Sequence, residues 1–140
     1  MQTEVVAIKQ ATKRIEAKQA SIDGSTFECV GASRMTFRDV CLAGTRITDA
    51  NLSDLEIDGA QLGGATIRNI GMPGPGHSLY DPEAKQRPLT FENCELTGSR
   101  ISGCNLTDVA ITDCEMVGLT INGIPVEELL RVYEGAAAKG

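Results

Sequence analysis

From Ile15 onward the chain is ruled by a period of five. It divides into IEAKQ, ASIDG, STFEC, VGASR, MTFRD, VCLAG, TRITD, ANLSD, LEIDG, AQLGG, ATIRN and IGMPG, twelve units that end at Gly74. A second run starts at Leu89 with LTFEN, CELTG, SRISG, CNLTD, VAITD, CEMVG, LTING and IPVEE. The third residue is apolar in all twenty units, and the first is small or apolar throughout. Five matches neither the 3.6-residue period of a helix nor the two-residue period of a strand. It matches a chain that turns a corner every five residues, with the first and third residues of each unit facing inward. Four such sides close a square circuit, and successive circuits stack as parallel strands about 4.8 Å apart. The expected fold class is therefore all-β: a square parallel β-helix of about five coils.

ANLSD and CNLTD carry a family likeness. Through them and the period of five, the sequence resembles the pentapeptide-repeat proteins, whose fold is a right-handed quadrilateral β-helix. The resemblance spans residues 15–74 and 89–128. It implies a solenoid, and it implies one activity known in that family, mimicry of duplex DNA at the DNA site of a type II topoisomerase.

Four sides to a circuit put residues twenty apart in one column. Gly24, Gly44 and Gly64 are so spaced, as are Gly98 and Gly118. The step from Gly64 to Gly98 exceeds twenty by the length of residues 75–88, which therefore read as an inserted loop. Three coils precede it, in 15–74, and two follow, in 89–128. At the glycine column a tight corner calls for positive φ, which glycine accepts cheaply. A bare edge open to a partner is the other reading of that column. Cys94 and Cys114 fall in one inward column with Cys104 opposite, and are expected to be buried thiols. Cys29 and Cys41 are expected to face outward.

Open strand edges at either end of such a stack invite aggregation and call for caps. Val126, Leu129, Leu130 and Tyr133 have helical spacing, Glu127 and Glu128 suit a helix N-terminus, and Gly135 offers a stop. A capping helix is expected over 125–134, with AAAKG as a loose tail. Residues 1–14 form an N-terminal cap: Val5, Ile8 and Ile15 permit a helix, and TEVVAI also reads as a strand. The whole, 1–140, is expected to be a single domain.

Chemistry has little to work with. The formal net charge of −6 argues against a direct nucleic-acid or anionic-membrane surface. An odd count of five cysteines, no C-x-x-C and no export signal point to reduced thiols in the cytoplasm. The single histidine, His77, lies in the loop without metal-ligand spacing around it. No catalytic set, cofactor motif or metal site follows, and the chain is expected not to be an enzyme.

The expected role is a small protein-interaction or structural module whose partner is a protein of unknown identity. Two candidate surfaces emerge. The loop presents His77, Tyr80, Lys85 and Arg87. One side of the square presents Asp39, Glu56, Asp58, Glu92 and Asp113. A homodimer through the C-terminal cap is implied by the family resemblance. The alternative is the duplex mimic, acting as a gyrase inhibitor or protecting against quinolones. Charge weighs on it: residues 20–74 carry seven acids and four Arg, and residues 89–126 five acids and one Arg, a net of −7. Duplex DNA as long as five coils carries about twice that charge.

Overall fold

A computed structural model describes residues 2–139. Its backbone keeps the period of five in a form that sequence reading anticipated only at the glycines. The fifth residue of units one to eleven and thirteen to nineteen, from Gln19 to Gly123, has positive φ at every occurrence. Eight of these are glycines and seven are Asp or Asn, the residues that enter the left-handed region most cheaply. Gln19, Cys29 and Arg34 make up the rest, at φ 50, 54 and 60°.

The corners alternate in kind. In even-numbered units two to ten and fourteen to eighteen the fourth and fifth residues form a two-residue turn, and in odd-numbered units one to eleven and thirteen to seventeen the fifth is a simple bend. Six of the turns are closed by a backbone bond: Ser25 N–H to Ile22 O at 3.1 Å, Thr45 to Leu42 at 3.1 Å, Leu55 to Leu52 at 3.1 Å, Ser99 to Leu96 at 3.0 Å, Val109 to Leu106 at 3.1 Å, and Leu119 to Met116 at 3.0 Å. Each puts the positive-φ residue third in the turn, the type II requirement. The alternation of Ile or Phe with Leu at the third position largely follows this alternation of corners: Leu42, Leu52, Leu96 and Leu106 open hydrogen-bonded turns, as do Ile22 and Met116.

The expected square parallel β-helix is not formed. Among the described residues the strands are Thr120–Ile121 (β1) and Ile124–Pro125 (β2), paired antiparallel with each other. Backbone–backbone hydrogen bonds outside the hairpin and helix join residues three apart, except for Val126 to Leu119. Among the described residues no ladder therefore links residues twenty apart. Most of the apolar third positions are uncovered, with Ile47, Ile57 and Ile67 61, 56 and 63% exposed. The surface is 15196 Å², against roughly 7,000 Å² for a compact chain of this mass and roughly 21,000 Å² for an unfolded one. The physical reason is local. A left-handed corner at every fifth residue leaves runs too short to hold a ladder on their own. The remaining backbone groups need neighbouring strands at about 4.8 Å, which the described residues do not supply.

The chain divides into two units, one ending at Gly64 and the other beginning at Ala65, so the division falls ahead of the inserted loop. In the first unit, residues 2–14 have neither the helix nor the strand expected of an N-terminal cap, and Val5 and Val6 are exposed. Segments about twenty residues apart there border open depressions. One is lined by Lys13–Ile15 together with Arg34–Thr36, the other by Met35–Arg38 together with Glu56 and Asp58.

The second unit ends in regular structure. Asn122 and Gly123, at φ 49 and 80°, form the two-residue turn between β1 and β2, the signature of a type I′ hairpin. Val126 N–H donates to Leu119 O at 2.9 Å, just outside the Thr120–Pro125 pair. There the helix α1 begins, running Val126–Ala138. The expected helix over 125–134 is thus present but longer. It passes through Gly135, because Ala136, Ala137 and Ala138 are strong helix formers that offset the roughly 1 kcal/mol cost of one glycine. Glu127 and Glu128 sit in its first turn, and Arg131 pairs with Glu128 at 2.5 Å. Val126, 7% exposed, is the buried apolar residue of the described chain. It is also the third residue of the last unit, so the inward position forecast for twenty units is realised at that one.

Candidate functional site

The nine candidate residues are divided between the two units. Asp39, Glu56 and Asp58 belong to the first unit, and His77, Tyr80, Lys85, Arg87, Glu92 and Asp113 to the second. Glu56 and Asp58 share a depression with Arg38, and Asp39 is the next residue along the chain.

The loop is better built than a plain insertion. Three turns follow one another: His77 N–H to Gly74 O at 3.1 Å, Tyr80 to His77 at 3.0 Å, and Ala84 to Asp81 at 3.2 Å. Their chemistry is written in the sequence. Pro75 and Gly76, the latter at φ 94°, occupy the central positions of the first turn, and Pro82 follows Asp81 in the third. Proline presets φ for the second residue of a turn, and glycine supplies positive φ at the third.

Side chains reinforce two of these turns. Asp81 Oδ1 accepts from Glu83 N–H at 2.9 Å, and His77 Nδ1 accepts from Leu79 N–H at 3.0 Å. The second bond fixes the histidine: Nδ1 carries the lone pair, so the neutral ring bears its proton on Nε2. Tyr80 and Leu79 stand 43 and 72% exposed beside it. The signals Gly-Pro-Gly-His and Asp-Pro-Glu-Ala pointed to these turns, which the reading of 75–88 as an inserted loop and candidate surface did not use.

The same side-chain device recurs at the second position of even-numbered units. Asn51 Oδ1 accepts from Ser53 N–H at 3.1 Å and from its hydroxyl at 2.7 Å. Asn105 Oδ1 does so for Thr107 at 3.0 and 2.7 Å. Glu95 Oε1 accepts from Thr97 N–H at 3.0 Å and from the Thr97 hydroxyl. Those bonds, the hydroxyl's first, hold the Glu95 carboxyl below the usual carboxylate range although it stands in water. The Asn-Leu-Ser and Asn-Leu-Thr strings are thus turn-closing elements.

The cysteines differ from expectation. All five are free and exposed, including Cys94 and Cys114, which were expected to be buried. The Sγ–H of Cys94, Cys104 and Cys114 each reaches the carbonyl two residues back, of Glu92, Ser102 and Thr112 at 3.3, 3.4 and 3.1 Å. Among the described residues no three His, Cys, Asp or Glu side chains gather as a metal site, and no helix is long and apolar enough to cross a membrane. Comparisons with known protein families, with curated proteins and with solved structures give no match. The likeness to the pentapeptide-repeat family therefore rests on the repeat pattern itself.

Proposed function

We infer that this chain is a non-catalytic protein-interaction module, with its partner-binding surface in the second unit. The observation that carries this reading is the row of uncovered third-position side chains: Phe91, Leu96, Ile101, Leu106 and Ile111 are 53 to 71% exposed. Burying such side chains yields about 25 cal/mol per Å² of apolar area, and exposed apolar stretches commonly mark interaction surfaces. Residues 89–126 carry a net −4 around that row. The fitting partner is a protein with an apolar strip flanked by Lys or Arg. The turn-built loop, with Tyr80 exposed, serves as the recognition element. His77, its Nδ1 already engaged by the Leu79 amide, is a poor start for acid–base chemistry there. The duplex-mimic alternative needs stacked circuits and is not carried forward. The exposed Leu130 and Tyr133 on α1 fit the homodimer reading, which sedimentation of the full chain would settle by the mass it returns.

The test is affinity capture with mass spectrometry on three forms: the full chain, a deletion of 75–88, and the triple variant Phe91→Ser, Ile101→Ser, Ile111→Ser. The triple variant should lose the captured partner, and the deletion should lose it too. If the deletion retains the partner, the loop has no recognition role. If the triple variant retains it, the apolar row is not the binding surface.

A further inference from the structure

We propose that Asn122 is a site of spontaneous deamidation whose isoaspartyl product releases α1 from its seat. Asn122 is the sole asparagine of the chain followed by glycine. It sits exposed at the tip of the β1–β2 hairpin, φ 49°, with Gly123 at φ 80°. The hydrogen bonds of the described residues leave the Gly123 amide without an acceptor, and that residue has no side chain to shield its nitrogen.

The reaction needs only base and water. Hydroxide removes the Gly123 amide proton, and the nitrogen attacks Cγ of Asn122. The new C–N bond closes a succinimide while the Cγ–NH₂ bond breaks, and the departing group takes up a proton to leave as ammonia. Water then adds to one of the two ring carbonyls. Opening at Cγ gives aspartate; opening at the backbone carbonyl carbon gives isoaspartate, with Cβ and Cγ now in the main chain. One water is consumed, one ammonia is released, and nothing is oxidised or reduced.

The other asparagines are placed differently. Asn51 and Asn105 hold their Oδ1 atoms on Ser53 and Thr107, and they precede Leu52 and Leu106. Asn69 and Asn93 precede Ile70 and Cys94. The larger residue that follows crowds the attacking nitrogen in each.

The position of Asn122 makes the product consequential. A two-residue turn fixes the register Ile121 with Ile124 and Thr120 with Pro125, and an added backbone atom cannot be absorbed there. The next bond out is Val126 N–H to Leu119 O, which holds the first residue of α1. An isoaspartate at the tip therefore undoes the seat of the one buried side chain, Val126.

The test ages the full chain at neutral and at mildly alkaline pH. Isoaspartate is located by enzymatic isoaspartyl methylation with peptide mapping, and α1 is followed by amide hydrogen exchange. The expected result is isoaspartate at Asn122 ahead of the other four asparagines, forming faster at higher pH and losing its pH-driven growth in Asn122→Gln and Gly123→Ala. Aged chains should lose protection at the Val126 amide. Absence of isoaspartate at Asn122, or equal formation at Asn51 and Asn105, overturns the site. Isoaspartate at Asn122 with Val126 still protected overturns the release of α1.

Discussion

Two parts of this chain solve the same local problem in opposite ways. The repeats of 15–74 and 89–118 close their hydrogen-bonded turns one at a time, with backbone bonds between residues three apart. The C-terminal part, from Leu119 to Ala138, links its turn to a strand pair, the pair to the Val126–Leu119 bond, and that bond to thirteen residues of helix. The repeats have the more regular sequence, yet the C-terminal part has the regular structure. Periodicity prescribes where a backbone bends; persistence as an element requires each bond to rest on the next.

The largest test of this contrast is Gly123→Val. A β-branched residue at φ 80° costs about 1–3 kcal/mol, and in the C-terminal part that cost should spread. The amide of Val126 and the first turn of α1 should exchange faster together. Retained protection at Val126 would show that the helix stands without its hairpin.

Gly44→Val is the counterpart in the repeats. Glycine has φ 75° there, and a side chain costs about 1–2 kcal/mol in that region. The effect should stop at its own turn: the Thr45 amide loses protection, and the Leu55 amide, one turn on, keeps it. Arg34→Gly, relieving a non-glycine φ of 60°, should act as locally in the stabilising direction. If Leu55 responds to Gly44→Val, the turns are coupled and the contrast with the C-terminal part fails.

These positions also show how far the sequence could be read. The corner at every fifth residue was legible because positive φ leaves a compositional mark, Gly, Asp or Asn at the fifth position. Even so, the reading used the glycine column and passed over Asp39, Asp49, Asn69, Asn93 and Asp113, which carry the same φ. The Asn-Gly hairpin was hidden by its own agreement with the repeat, since LTING scans as one more unit. Stacking was not legible, because inward-facing describes a relation between circuits, and a run of Ile and Leu at every fifth place is the same whether covered or bare. The acidic side was inferred from that stacking; Asp39, Glu56 and Asp58 belong to one unit and Glu92 and Asp113 to the other. The turns inside the loop were legible too, since Pro75–Gly76 and Asp81–Pro82 are turn signals of ordinary strength, and the reading did not use them.

Gly135→Ala probes how the C-terminal part ends. The glycine is interior to α1, and replacing it should stabilise the last turn by about 1 kcal/mol. Helical content by circular dichroism should rise, and the Lys139 amide, now donating to Ala136 O at 3.2 Å, should exchange more slowly. No change would mean that the helix effectively stops near Gly135.

The smallest effect tests the independence of single turns with an internal control. Glu95 closes the 96–99 turn through Thr97, and Asn105 closes the 106–109 turn through Thr107 in the same manner. Only the first acceptor titrates. Its carboxyl is held below the usual range, so the folded turn binds its proton less readily than the unfolded chain does. The stabilisation is therefore complete above the unfolded carboxylate value, roughly 4.3, and is lost as pH falls through the lower folded value. The Thr97 amide shift should move over that range while the Thr107 amide stays still. Glu95→Gln keeps an oxygen acceptor and should flatten the Thr97 response. Equal movement of both amides would trace the pH effect to something the two turns share, and the separateness of the turns would no longer hold.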